Sequence, residues 1–254
     1  MNRVWMNAAG AFLLATGLLV AQKQPQPKSP KEAEAVMAIM NAQTPDARIQ
    51  AVENLLSKFA DTEFKAVALQ LAAFSAQQKN DYEKMIIYSE RTLQADPQNY
   101  PAMLLLASGI AQKTREHDLD KEEKLAQSEK YAKSALDLIA KAEKPRPDIT
   151  DEQWNAAKQD YTAQAHEALG MSAMVRKKFD VAATEFKASI DASSQPDPGT
   201  MVRLVAAYNQ AGKPDEAIAM ADKVLATPNL HPQIKQVAES EKANANKLKA
   251  AKKQ

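Results

Sequence analysis

The chain has 254 residues, 33 Lys and Arg against 32 Asp and Glu, and 45% apolar content. A formal charge of +1 gives no global field to draw it to nucleic acid or an anionic membrane. It has no cysteine, which excludes disulfides, thiolate metal sites, a cysteine nucleophile and a lipid-modified N-terminal cysteine. Glycine is scarce, which disfavours β-hairpins, and Ala, Lys, Glu, Gln and Leu are strong helix formers. An all-α chain is predicted.

Residues 1–21 read as a secretory signal. Arg3 and the free amine precede the uncharged apolar run Ala8–Val20, which is shorter than the roughly 20 residues that span a bilayer. Cleavage after Ala21 is expected, giving a periplasmic or secreted protein without a membrane span. Residues 22–29, with Pro25 and Pro27, form a linker of extended character. Ser29-Pro30 then starts a helix, with Glu32 placed to close a capping box.

Thr44-Pro45 repeats that start signal, with Val52, Leu55, Leu56 and Phe59 at helical spacing behind it. Val67–Gln78 and Tyr82–Leu93 form a clearer hairpin, broken at Asn80-Asp81 and closed by Asp96-Pro97. Met103–Ile110 opens a third unit. The charged insert 113–123 follows, in which Asp118 or Asp120 is placed to cap a helix running to about Glu143.

Pro145 and Pro147 stop that helix. Thr150-Asp151-Glu152-Gln153 is a capping box that opens another, continuing through Gly170. Each of the two helices comes to about 25 residues, or roughly 37 Å. They are expected to run antiparallel as a long hairpin projecting from the array, with Trp154 and Tyr161 packed near Leu136 and Ile139. The last helix starts at His231-Pro232. Residues 233–254 carry six lysines and two glutamates, the polar face of a helix that covers an exposed end.

Two hairpins in the stretch 165–229 share one pattern. Leu169-Gly170 leads to Phe179, Ala182, Phe186 and Ile190. Leu204-Val205 leads through Gly212 to Ala217, Ala221 and Leu225. The shift from Gly170 to Val205 is 35 positions, close to a repeat period of about 34. On these residues the chain resembles the tetratricopeptide repeat (TPR) family over roughly residues 44–229. The resemblance implies a right-handed α-solenoid of about five hairpins over residues 30–232, with an elongated central hairpin and a C-terminal capping helix.

Catalytic chemistry is not expected. His117, His166 and His231 fall on an insert, a packing face and a helix start, without paired metal spacing. No phosphate loop, GxSxG elbow or HExxH helix occurs, and no cofactor is expected.

In the family, the first helix of each hairpin lines a concave groove that takes peptide segments. Carried onto this chain, the groove positions are Gln70, Phe74 and Gln77; Gln164, Glu167, Met171 and Met174; and Val202, Ala206 and Asn209. The positions hold no lysine or arginine, and Asn209 alone does not make the lysine, asparagine and arginine set of the family's carboxylate clamp. The expectation is a non-catalytic scaffold with a protein or peptide partner. The competing expectation is a structural component of the cell envelope that acts through self-association or its long hairpin.

Overall fold

The computed structural model describes residues 25–252. The expected signal, Met1–Ala21, lies outside the described residues. Among the described residues there are eleven helices and no strand. They are α1 (Pro30–Asn41), α2 (Pro45–Lys58), α3 (Lys65–Gln78), α4 (Tyr82–Ala95), α5 (Tyr100–Lys113), α6 (Lys121–Lys141), α7 (Asp151–Val175), α8 (Phe179–Ala192), α9 (Pro198–Gln210), α10 (Pro214–Leu225) and α11 (Pro232–Ala251).

Local chemistry sets many of the starts. Ser29, Thr44, Asp81, Asn99 and Asp197 each accept a hydrogen bond from a backbone N–H of the helix they precede, satisfying a donor the helix leaves open. Thr150 and Gln153 form the reciprocal capping box. At α1 the box is altered. The Glu32 carboxylate accepts from Lys28 N at 2.6 Å and from Thr62 Oγ1 at 2.6 Å, and is fully buried in doing so. The linker is therefore tied down from Pro25 onward: Gln26 N donates to Glu63 Oε2 at 3.1 Å, and Lys28 Nζ donates to the backbone carbonyl of Asp61 at 2.7 Å.

The turns inside the second, fourth and fifth hairpins are the same structure on different residues. Asn80, Lys177 and Gly212 all take positive φ, at 56°, 59° and 69°. The following amide closes a six-residue loop each time: Asp81 N to Ala76 O, Lys178 N to Ala173 O, and Lys213 N to Tyr208 O, at 2.8–2.9 Å. This is the Schellman ending, which satisfies carbonyls that a helix terminus leaves open.

Each helix packs on the next, and α5 packs on α7 as well. The core is a row of clusters. Val52, Leu55, Leu69, Met85 and Leu105 fill the first; Tyr100, Leu104, Ala135, Ile139, Trp154 and Tyr161 the second; Ala173, Phe186 and Leu204 the third. Leu169-Gly170 and Leu204-Val205 thus lie on neighbouring layers, as the repeat spacing requires. Ala238 and Ala245 of α11 cover the last hairpin.

The central hairpin differs from expectation in two respects. First, α6 starts behind Asp120, one of the two expected caps, but it has 21 residues rather than about 25, because residues 114–120 form turns and the helix stops at Lys141. Thr114 Oγ1 donates back to Ile110 O at 2.7 Å, and Arg115 N donates to Asp118 Oδ2 at 3.0 Å. Arg176, at the end of α7, then clamps α6 through Glu122 in its first turn at 2.7 Å and through Glu129 seven residues on. Second, the hairpin does not simply project. Trp154 and Tyr161 pack with Leu136 and Ile139 as expected, but Tyr161 also meets Tyr100 of α5 edge-on at 5.1 Å. The tip, Pro145-Arg146, lies against the face formed by α1 and α3.

Candidate functional site

The first helices of the hairpins carry the groove positions, and the structure separates these into three kinds. Gln77 and Gln164 are exposed. Among the described residues neither side-chain amide has a hydrogen-bond partner within the chain. Phe74, Glu167, Met171, Met174 and Ala206 are half-buried. Gln70, Val202 and Asn209 are buried and face their own chain.

The last three have identifiable occupants. Gln70 Oε1 accepts from Asn99 Nδ2 at 2.9 Å, which ties α3 to the turn before α5. Val202 packs with Val224 and Ala238. Asn209 Nδ2 donates to Glu241 at both its backbone carbonyl, 2.9 Å, and its carboxylate, 2.7 Å. The capping helix therefore covers the face of α9 at Val202 and Asn209, and those positions are not groove surface.

Phe74 and Met171 do not meet in one apolar strip. Phe74 packs on the N-terminal cluster; Met171 and Met174 pack on the cluster of α7, α8 and α9. Glu167 is committed as well, accepting from Arg203 Nη1 of α9 at 2.7 Å. Burial pushes its carboxyl above the usual carboxylate range, and the Arg203 guanidinium pulls part of that shift back.

The histidines are dispersed. His166 Nδ1 lies 2.7 Å from Glu185 Oε2 across α7 and α8, and His231 accepts from Gln233 N at the start of α11. His117 lies in the turns between α5 and α6. Among the described residues no group of three or more His, Cys, Asp or Glu is placed to hold a metal ion. No helix there is long and apolar enough to cross a membrane.

One concave feature was not legible in the groove pattern. The tip of the α6–α7 hairpin, with Pro25, borders a half-open apolar hollow of about 310 Å³ on α1 and α3. The signal in the sequence was Pro145-Arg146-Pro147, a stiff segment carrying one cation at the end of a long hairpin. What it packs against is set by distant residues.

No protein-family model and no curated protein sequence matches the chain. Solved structures do. A crystal structure of a thermophilic TPR protein from Thermus thermophilus superposes with a TM-score of 0.55 at 15% identity, covering 82% of this chain and 95% of that one. A tetratricopeptide repeat protein from Parabacteroides merdae gives a TM-score of 0.42 at 13% identity, covering 87% and 93%. Stacked hairpins, repeated left-handed turns and the first of these superpositions agree: the fold of this chain is that of the tetratricopeptide-repeat solenoids.

Proposed function

We propose that the protein is a non-catalytic scaffold, exported from the cytoplasm, that holds a partner protein or peptide against the inner face of its solenoid. The observation that carries this reading is the pair of unspent amides at Gln77 and Gln164. Each shares its helix face with a half-buried apolar side chain, Phe74 one turn before Gln77 and Met171 two turns after Gln164. Free amides suit the main chain of a bound segment, and a thioether adapts to varied apolar side chains. Export is supported by the charge and apolar pattern of residues 1–21.

The test places a photo-crosslinking side chain at Gln77, at Gln164 and, as a control, at the fully exposed Leu119 in living cells. A discrete protein adduct from the first two positions and none from Leu119 is expected, with a mature N-terminus beginning at Gln22. No adduct from either inner position, or the same adducts from Leu119, overturns the binding reading. A mature chain that retains Met1 in the cytoplasm overturns export.

A further inference from the structure

We infer that the hollow between α1, α3 and the tip of the α6–α7 hairpin is a binding site for a small amphiphile with an aliphatic body and one carboxylate. Its walls are apolar: Val36, Ile39 and Met40 from α1, and Phe64, Val67 and Leu71 at and after the start of α3. Pro25 and Pro145 close two sides, and both belong to proline-bearing segments too stiff to collapse into the gap.

Size selects the class of occupant. The half-open hollow's 310 Å³ is about twice the ~150 Å³ cavity that takes benzene, which corresponds to a body of roughly ten carbons.

Arg146 sets the polarity. It is the one charged residue in the lining. Its Nε is buried and lacks a hydrogen-bond partner, for Asp148 Oδ1 stands 3.3 Å away without hydrogen-bond geometry. The Asp148 carboxylate is mostly in solvent. Among the described residues the two terminal nitrogens of Arg146 have no acceptor. A guanidinium fork at the rim of an apolar hollow matches a carboxylate head above an aliphatic tail.

The experiment is calorimetric titration of the full chain with sodium decanoate and, separately, with decan-1-ol. The expected result is one saturable decanoate site. Val36→Trp, which fills the hollow from a half-buried wall position, abolishes it while the helical circular dichroism stays unchanged. Arg146→Ala weakens decanoate about tenfold and removes its preference over decanol, as loss of a charge-assisted hydrogen bond requires. Absence of saturable binding overturns the proposal. So does binding that Val36→Trp leaves intact, or an equal loss of both ligands in Arg146→Ala. Crosslinking from Gln77 and Gln164 reads a different surface, so either result stands without the other.

Discussion

Phe186 occupies the space that any side chain at position 170 would need. A β-carbon on Gly170 would stand 2.6 Å from Phe186 Cδ1 and 2.7 Å from Cε1, and the ring is fully buried. Gly170→Ala gains about 1 kcal/mol of helix propensity but forces the ring out of a closed core, which costs about 1–3 kcal/mol. A net loss of up to about 2 kcal/mol is expected. Gly109 is the contrast, because there the new carbon meets the terminal methyl of Met85, the end of a side chain with three rotatable bonds. Gly109→Ala should stay within about 0.5 kcal/mol of the parent. Urea midpoints of the two variants decide it, and equal values would show that the ring is free to move.

Lys177 pays a conformational cost that Gly212 does not, at the same place in successive hairpins. Both sit in the left-handed region, and a non-glycine residue is disfavoured there by roughly 1 kcal/mol or more. Lys177→Gly also gives up the exposed pair with Glu116, a type of contact that contributes about 0–1 kcal/mol. The expected sum is a gain of about 0.5 kcal/mol, with Gly212→Ala shifting the other way by about 1 kcal/mol. A lower urea midpoint for Lys177→Gly would mean that the three turns are not equivalent.

These two comparisons show what the sequence carries plainly and what it conceals. Helix starts are local chemistry, so Ser29-Pro30, Thr44-Pro45 and Thr150–Gln153 announce themselves. The hairpin turns are also local, but asparagine, lysine and glycine hide one conformation behind three letters. The groove positions fail for a different reason. Helical spacing puts Gln70, Val202 and Asn209 on a chosen face, yet their neighbours are Asn99, Ala238 and Glu241, 29 to 36 residues along the chain. The tip at Arg146 reaches α1 and α3 across a still longer separation, set by the full length of α7 rather than by any motif.

Tyr100 and Tyr161 make the central cluster sensitive to alkali. Their rings meet at 74°, and burial, helped by Asp160, pushes the Tyr161 phenol up to about 12. Burial, and then Tyr161, raise Tyr100 further. An unfolded tyrosine ionises near 10, so the unfolded chain loses these protons first. Stability is therefore complete below about pH 10 and falls as pH rises toward 12, by up to about 1.4 kcal/mol per unit for each phenol. Tyr161→Phe keeps the ring and deletes one of three raised phenol titrations, Tyr88 in the N-terminal cluster being the third. Its unfolding free energy should decline less steeply than the parent's between pH 9.5 and pH 11, and parallel curves would rule out the burial argument.

The seat of α11 is apolar around Ala238 and Ala245, with the Asn209–Glu241 contact between them and its ion pairs at the edge, which predicts how it comes loose. Ala238 and Ala245 are fully buried against Val202, Val205 and Val224, while Lys242–Asp222 and Lys249–Asp215 bridge at 2.5 and 2.6 Å on the rim. At 1 M salt the screening length is about 3 Å, so exposed pairs fade while the apolar seat remains. Molar sodium chloride should accordingly shift the thermal midpoint by no more than a few degrees. Ala238→Asp buries an unpaired carboxylate and should cost about 3 kcal/mol or more. Deleting residues 232–254 uncovers Val202 and Val224 and leaves Asn209 without either acceptor, so the shortened chain should self-associate with rising concentration in sedimentation. A cap held mainly by its lysines would invert this ranking, with salt detaching it and Ala238→Asp tolerated.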